Sequence, residues 1–531
     1  MMHPLRSARA NWKVLACMVA AVALPATLVS QAEKKFLLQG RILDEDSRLG
    51  VPSARIQLSG GSLAGTSLGA STDQAGRFSF SIPAGTKYRA RIEKAGYFDL
   101  DYGREIEIQA NDVSLEEILL TGKRAISGVV HWRNGEPPMD ALVVVSRVRG
   151  GKLSTSFVQA VVDDRGQFRI PDLQPGRYVV HAAIQGQGRG TDRTKAAVNV
   201  FYPGTARPQI ANAIDLRRQR EPAVPLSFVL DEAIGVTVSG LLEPTDDAPN
   251  GARVSLGLTA AGLFSRPFVT TQNSVGDRFE LPGVPPGKYD LIISTPGAPQ
   301  TIKMAAYPIV VTDVPIDGLR LAAPRQALIE GTIDMEETAG ASPLTGVRVS
   351  ALSEAYPFWP ARAVKTPDEN GRFQLGGTVR GQTYSLTVQN LPSGVYIASA
   401  TQAGKELAAS ALTVMPSDDL GPVRIRMRND GGSLTGTVRL RDRTAASGFV
   451  ALAPKNRAAV HKYRTAIVAT DGSYRITSIA PGQYSLLALE RNYDDDYLDP
   501  LFWDRQSRGV RSVEVNSNGV ATADLELVEL R

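Results

Sequence analysis

Short alternations of apolar and polar residues run along most of the chain, and each is typical of a half-buried strand. The stretch "DDRGQFRIPDLQPGRYVV" at 163–180 combines a turn, an alternating strand, a second turn and the start of another strand. Related stretches begin at residues 73, 276, 368 and 470. The pattern predicts an all-β protein in which one turn–strand–turn unit occurs five times.

A strand with a central glycine precedes each copy of the unit. These strands read "FLLQGRIL", "AISGVVHW", "VTVSGLLE", "ALIEGTID" and "SLTGTVRL", with glycines at Gly40, Gly128, Gly240, Gly331 and Gly436. The distance to the glycine of the second turn is 45, 48, 47, 50 and 46 residues, whereas successive copies begin 88, 112, 91 and 105 residues apart. Because the internal distance varies less, insertions are expected in loops or between units.

Residue chemistry explains the unit. Asp followed by Gly favours a tight first turn, since Asp bonds its own backbone and Gly tolerates positive φ. A tyrosine after the second turn can pack inward while its hydroxyl reaches a backbone group, as in the tyrosine corner of sandwich domains. The first-turn glycines are Gly76, Gly166, Gly371 and Gly472; the second-turn glycines are Gly85, Gly176, Gly287, Gly381 and Gly482; the tyrosines are Tyr88, Tyr178, Tyr289, Tyr384 and Tyr484.

Strand number and spacing predict a two-sheet sandwich for each unit. The last unit closes on a hairpin with Asn518-Gly519 at its turn. A unit of about 100 residues has its own core, so we expect beads on a string rather than a solenoid. The predicted sandwiches span residues 33–122, 123–231, 232–324, 325–430 and 431–531.

The first 32 residues differ from the rest. Arg6, Arg9 and Lys13 precede a mostly apolar stretch, and Ser30-Gln31-Ala32 fits cleavage of a secretory signal peptide after Ala32. A retained anchor is the alternative, although about 16 apolar residues interrupted by Pro25 are short for a membrane span. Cleavage removes the only cysteine, Cys17, and lowers the formal net charge from +5 to +2. A near-neutral, mixed surface argues against nucleic acid as a partner.

The layout "GxV…DxxGxFxIxxLxPGxYxV" resembles the carboxypeptidase regulatory-like domain, a transthyretin-like (prealbumin-like) β-sandwich, in five copies over the mature chain. The second copy matches best; the third has Gly276-Asp277, the fourth lacks the proline before Gly381, and the fifth shortens to Asp471-Gly472. The resemblance implies five tandem transthyretin-like (Ig-like) sandwiches of a bacterial secreted type. It also implies non-catalytic modules within a wider group of carbohydrate-binding-like folds.

Candidate chemistry is sparse in the sequence. The mature histidines His131, His181 and His461 share no ligand motif for zinc, and we expect them to be exposed or at strand ends. Asp494, Asp495, Asp496 and Asp499 could offer oxygens to calcium, but they lack the defined loop of a dedicated site and are flanked by Arg491 and Arg505. The sequence therefore predicts no enzyme, no catalytic residue, no metal site and no cofactor.

Aromatic side chains are the candidate ligand contacts. Tyr356, Phe358 and Trp359 lie between prolines in an insert of the fourth unit, and Trp503 lies in the fifth. Such rings suit sugar faces or a protein partner, or they cover a sandwich end. We therefore predict an exported, non-enzymatic structural and binding array, secreted or held at the periplasm or cell envelope. The alternatives are a carbohydrate-binding envelope protein, and an accessory subunit of a separate peptidase or outer-membrane receptor.

Overall fold

A computed structural model gives the architecture of the chain. It describes residues 35–60, 67–83, 86–103, 105–109, 111–139, 141–184, 195–196, 199–205, 211–231, 233–243, 253–258, 272–273, 278–297, 301–322, 326–336, 346–353, 362–379, 383–407, 412–414, 421–440, 443–444, 447–506 and 509–528. Residues up to Leu120 and residues from Thr121 onward form two compact units. The signal-peptide prediction for residues 1–32 lies outside the described residues.

The described residues are almost entirely β-structure, which confirms the all-β class. The first sandwich comprises β1 (Lys35–Asp44), β2 (Arg55–Gly60), β3 (Leu68–Ser71), β4 (Arg77–Pro83), β5 (Thr86–Glu93), β6 (Leu100–Asp101), β7 (Ile106–Ile108) and β8 (Val113–Leu120). The second comprises β9 (Arg124–Trp132), β10 (Ala141–Arg149), β11 (Lys152–Val161), β12 (Gln167–Leu173), β13 (Arg177–Ile184), β14 (Lys195–Ala196), β15 (Asn199–Phe201), β16 (Ile214–Asp215) and β17 (Leu226–Leu230).

The third sandwich comprises β18 (Ala233–Ile234), β19 (Val236–Glu243), β20 (Arg253–Leu258), β21 (Gln272–Asn273), β22 (Arg278–Val284), β23 (Gly287–Gly297), β24 (Thr301–Val311) and β25 (Ile316–Ala322). The fourth comprises β26 (Gln326–Met335), β27 (Arg348–Ser353), β28 (Arg362–Lys365), β29 (Arg372–Val379), β30 (Tyr384–Gln389), β31 (Tyr396–Gln402), β32 (Lys405–Glu406), β33 (Leu412–Val414) and β34 (Val423–Arg428).

The fifth sandwich comprises β35 (Gly432–Leu440), β36 (Arg443–Thr444), β37 (Phe449–Pro454), β38 (Arg464–Ile467), β39 (Ser473–Ile479), β40 (Gly482–Leu489), β41 (Arg511–Val515), β42 (Val520–Thr522) and β43 (Leu525–Val528). Helical structure is confined, in the described part, to α1 (Pro500–Arg505) and two 3₁₀ turns at Val460–Lys462 and Asp496–Leu498. Asp499 caps α1 by accepting a hydrogen bond from the Leu501 N–H at 3.0 Å.

One sheet topology occurs in all five sandwiches. The glycine-bearing strand is flanked by an antiparallel strand from the repeat unit and by a parallel strand that ends the sandwich, in the orders β4-β1-β8, β12-β9-β17, β22-β19-β25 and β29-β26-β34. In the fifth sandwich β35 pairs with β39 on one side and runs parallel to β42 and β43 on the other. The second sheet centres on the pairs β2–β5, β10–β13, β20–β23 and β27–β30. In the fifth sandwich the equivalent pair is β37–β40, and β43 joins it to β35 in one nine-stranded sheet.

The glycine of the first strand lies directly opposite an aromatic residue of the repeat unit in every sandwich. The pairs are Gly40–Phe78, Gly128–Phe168, Gly240–Phe279, Gly331–Phe373 and Gly436–Tyr474. A Cβ on Gly331 would lie 2.4 Å from the Phe373 ring and 2.6 Å from the Val423 carbonyl oxygen. The register therefore requires a residue without a side chain where the ring and the parallel strand approach.

A separate hydrophobic core fills each group of strands, drawing on residues 36–120, 126–230, 238–321, 329–427 and 434–525. The apolar pairs of the alternating strands, such as Phe168 and Ile170, are buried in these cores, as the alternation predicts. The exact residue boundaries of the five units, and the ability of each unit to fold alone, stay predictions.

The fourth and fifth sandwiches contact each other at their junction. Asp430 is buried and accepts hydrogen bonds from the Tyr396 hydroxyl at 3.0 Å and from Arg428 Nη2 at 2.9 Å. The Gly394 N–H donates to the Ser478 hydroxyl at 2.9 Å, and the Asn518 N–H donates to the Asp430 carbonyl at 2.8 Å. These bonds restrict the angle between two neighbouring beads, which a free linker would not do.

Candidate functional site

The polar residues of the repeat unit are bound within the turns that contain them. Asp163 Oδ1 accepts from the N–H of Arg165 at 3.0 Å and of Gln167 at 2.7 Å. Asp73 and Asp368 make the same two bonds. The glycines that end these turns have positive φ: Gly76 (77°), Gly166 (76°), Gly371 (72°) and Gly472 (80°). These aspartates and glycines shape the turn.

The tyrosines after the second turn are buried, and three of them bond the carbonyl four residues upstream. Tyr178 donates to Gln174 at 2.5 Å, Tyr289 to Pro285 at 2.9 Å, and Tyr484 to Ala480 at 2.6 Å. For Tyr88 and Tyr384 the equivalent acceptors, residues 84 and 380, lie outside the described residues, as do Gly85 and Gly381. Burial raises the pKa of the Tyr178 hydroxyl to about 12, so it remains a donor.

Trp503, a predicted ligand contact, is buried in the structure. Its indole N–H donates to the Tyr497 carbonyl at 2.7 Å, and the Arg457 guanidinium lies 4.8 Å from the ring centroid. The ring belongs to an apolar layer that covers the outer face of β37 and β40. Trp503 is therefore packed within the fifth sandwich, and its role as a ligand contact stays a prediction. Tyr356, Phe358 and Trp359 lie outside the described residues, and their role as ligand contacts stays a prediction.

The aspartates considered for calcium face arginines of the second sandwich. We define the acidic loop as residues 490–499 and the arginine face as Arg147, Arg149, Arg177, Arg217 and Arg218. Asp496 accepts from Arg177 Nη2 at 2.7 Å and from Arg217 Nη1 at 3.2 Å. Asp494 pairs with Arg147, and Arg218 lies 3.3 Å from Glu490. Beads on a string need contacts only between sandwiches that follow one another, whereas this contact joins the second sandwich to the fifth.

Burial controls the electrostatics of this contact. The side chains of Asp494 and Asp496 are each 4% exposed. Loss of water raises the pKa of both carboxyls above the usual value, and the neighbouring arginines offset only part of that rise. The two carboxylates thus serve as partners of guanidinium groups rather than as oxygens open to a cation.

Three other observations on the described residues bear on function. A groove of about 470 Å³ beside β40 and β41 is lined by Lys455, Gln483, Tyr484, Ser485, Ser512, Val513 and Glu514. Histidine, cysteine, aspartate and glutamate side chains nowhere gather in threes suitable for a metal ion within the described ranges. No described helix has the length and apolar character to cross a bilayer.

His181 departs from the prediction of exposed or strand-end histidines. It lies within β13, is fully buried, and stacks on Phe201 with ring centroids 4.8 Å apart. The residues that follow β14 add β15 and cover the outer face of the sheet there, together with Val148 and Leu153. Local alternation could not reveal this second apolar layer, because the covering segment comes from an insertion in the loop.

Comparison with known proteins gives weak structural similarity only. No family model and no curated protein matches the sequence. Among solved structures, the chain is similar to BcpA, the major pilin subunit of Bacillus cereus (10% identity, 54% of this chain, 99% of that chain, TM-score 0.18). It is also similar to the shaft pilin SpaA from Lactobacillus rhamnosus GG (11%, 38%, 98%, TM-score 0.19) and to the Bacillus anthracis TIE protein (13%, 76%, 74%, TM-score 0.16).

The carboxypeptidase regulatory-like resemblance is not confirmed by a family match. The described residues form tandem β-sandwiches that share one strand arrangement around the glycine-bearing strand.

Proposed function

We propose that the chain is an exported, non-enzymatic array of β-sandwiches that holds binding loops at set positions outside the cytoplasm. The observation that carries this proposal is the use of the repeated polar residues. The turn aspartates and three of the tyrosines bond the backbone of their own turns, so the recurring chemistry stabilises each sandwich. The contacts between sandwiches support a scaffold role, because they hold neighbouring loops in a defined geometry.

The cellular location of the chain and the molecules bound to it test this function together. We expect antibody against the chain to detect it in the envelope or extracellular fraction of the producing cell, shortened at its N-terminus. Cross-linking before extraction should recover an envelope protein or polysaccharide bound to it; a separate peptidase or outer-membrane receptor among the recovered proteins would favour the accessory-subunit alternative. Retention of the uncleaved chain in the cytoplasm would contradict the proposal. So would a hydrolytic activity abolished by one polar substitution.

Carbohydrate binding is the second candidate, and the groove on the fifth sandwich favours it. Its amide, hydroxyl, ammonium and carboxylate groups are those that hydrogen-bond sugar hydroxyls. A glycan array probed with the full-length chain tests the idea. Gln483→Ala with Ser485→Ala should remove any signal that belongs to the groove, and Trp359→Ala any signal that belongs to the aromatic insert. The exposed Glu526→Gln serves as the control. No bound glycan on the array would reject this candidate.

A further inference from the structure

The arginine face and the acidic loop are complementary in charge. Residues 123–231 contain 16 Lys and Arg against 9 Asp and Glu, whereas residues 490–499 contain five acids and one arginine. The paired residues are far apart along the chain: 319 positions separate Arg177 from Asp496, and 272 separate Arg218 from Glu490. Their contact therefore depends on tertiary placement and not on a local turn.

The backbone also fits at this contact. The Gly150 N–H donates to the Asp494 carbonyl at 2.9 Å, and Arg491 Nη2 donates to the Arg217 carbonyl at 2.7 Å. A Cβ on Gly176 would lie 2.6 Å from Asp494 Oδ2, so the second-turn glycine of the repeat leaves the space that the carboxylate fills. Such steric fit distinguishes a formed interface from a loose pairing of surface charges.

The contact also carries costs. Nε of Arg147 and Nε of Arg177 are buried without a hydrogen-bond partner among the described residues. Asp494 and Asp495 adopt positive φ of 53° and 56°, a conformation that costs a non-glycine residue free energy. Unsatisfied donors and strain lower the net stability of a buried ion-pair contact. These costs favour opening of the contact, and the main cores of the second and fifth sandwiches lie outside it.

We propose that the arginine face is a docking surface for the acidic loop of a second copy of this chain, and that the contact within one chain is its closed, self-occupied form. The contact is heterologous, because it joins two different surfaces of one polypeptide. When the contact opens, each chain exposes its arginine face and its acidic loop. Two open chains can then exchange their fifth sandwiches, and each exchanged contact forms the same hydrogen bonds as the contact within one chain. The linked surface of the same chain competes at high effective concentration, so the closed form dominates in dilute solution. This inference goes beyond the scaffold role and can fail independently of it.

Charge reversal on one surface at a time tests the proposal in the full-length chain. Variant A carries Arg147→Glu and Arg177→Glu; variant B carries Asp494→Arg and Asp496→Arg. Neither variant can close or pair with itself, because the reversed side chains then face partners of like charge at the Arg147–Asp494 and Arg177–Asp496 pairs. The expected result is two monomers that form a 1:1 complex on mixing, with twofold the mass by light scattering, and that separate again at about 1 M salt, where screening is strong.

Arg165→Glu and Asp504→Arg change exposed charges on the same two sandwiches outside the contact, and their mixture should remain monomeric. Circular dichroism and melting must show A and B folded. Combining all four reversals in one chain should restore a compact monomer by small-angle scattering. Folded A and B that stay monomeric when mixed would overturn the proposal. If variant B binds polyphosphate but does not bind variant A, the proposal is overturned, and the arginine face is then a site for polyanions.

Discussion

The pairing of a glycine with an aromatic ring is the residue-scale feature common to all five sandwiches. The ring covers the strand where the side chain is missing, as aromatic residues do opposite glycine in other sheets. The parallel strand on the other side closes the remaining space: a Cβ on Gly128 would lie 2.1 Å from the Leu226 carbonyl oxygen. The nearly constant number of residues between these glycines and the second turn of the repeat thus reflects a fixed register between the glycine-bearing strand and the repeat strand.

Adding a methyl group to this position should be costly. Gly331→Ala places its Cβ against Phe373 and the Val423 carbonyl, and we expect a loss of about 2 kcal/mol in the free energy of unfolding. Gly376→Ala in the same sandwich is the matched control, since the closest atom to its Cβ is a leucine methyl at 3.7 Å. Urea denaturation of both variants measures the difference. Equal stabilities would show that the ring and strand move aside.

His181 makes stability depend on pH. Burial lowers its pKa to about 4, whereas the unfolded residue has an ordinary value near 6.5. Only the unfolded state binds a proton between these values, so stability is complete above about pH 6.5 and falls as the pH drops toward 4, by about 3 kcal/mol. The difference in urea midpoint between the native chain and His181→Phe, followed from pH 7.5 to 4.5, measures this contribution. His131→Gln is the control, and a pH-independent difference would contradict the assignment.

At the scale of elements, the turn aspartates stabilise the strands that they precede. Asp163→Ala removes two hydrogen bonds to backbone N–H groups, and we expect a loss of about 1 kcal/mol. The neighbouring exposed Asp164→Ala keeps the turn and should be neutral within about 0.5 kcal/mol. Thermal unfolding of the pair checks the difference. A smaller loss for Asp163 than for Asp164 would mean that water replaces the carboxylate without cost.

Sequence could predict elements wherever their signal is local. Alternation located the buried pairs such as Phe168 and Ile170, and Asp-Gly spacing located the turns. The outer apolar layers of the second and fifth sandwiches could not be predicted, because they depend on inserted segments folding back over a sheet. The position of Trp503 follows from such a layer. The partners of Asp494 and Asp496 were equally hidden, since a loop rich in acids looks the same whether water, a cation or distant arginines surround it.

At the scale of the whole molecule, the closed contact controls the separation of the second and fifth sandwiches. Gly176→Ala should open it, because Ala fits the backbone of the turn but its Cβ occupies the place of Asp494 Oδ2. Spin labels attached at Asp164→Cys in the second sandwich and Asp504→Cys in the fifth, in a Cys17→Ser background, report the distance between the two sandwiches by pulsed electron paramagnetic resonance.

We expect one narrow distance distribution in the parent chain and a longer, broader one in the Gly176→Ala variant. Gly376→Ala, which lies on the fourth sandwich, should leave the distribution unchanged. An unaltered distance in Gly176→Ala with a normal melting curve would show that the loop shifts to make room.

The parallel pairing of the glycine-bearing strand with the strand that closes each sandwich has a mechanical consequence. The chain enters a sandwich at the start of the first strand of this pair and leaves it at the opposite end of the second. The parallel registers of β1 with β8 and of β9 with β17 show this: Leu38 pairs with Val113 and Asp44 with Leu120, and Gly128 pairs with Leu226 and Trp132 with Leu230. A tensile load applied through the termini of a sandwich therefore acts along the strands and shears their evenly spaced hydrogen bonds together. An antiparallel terminal pair would be peeled apart bond by bond. We therefore expect a sandwich with this pairing to withstand a higher pulling force than one with an antiparallel terminal pair.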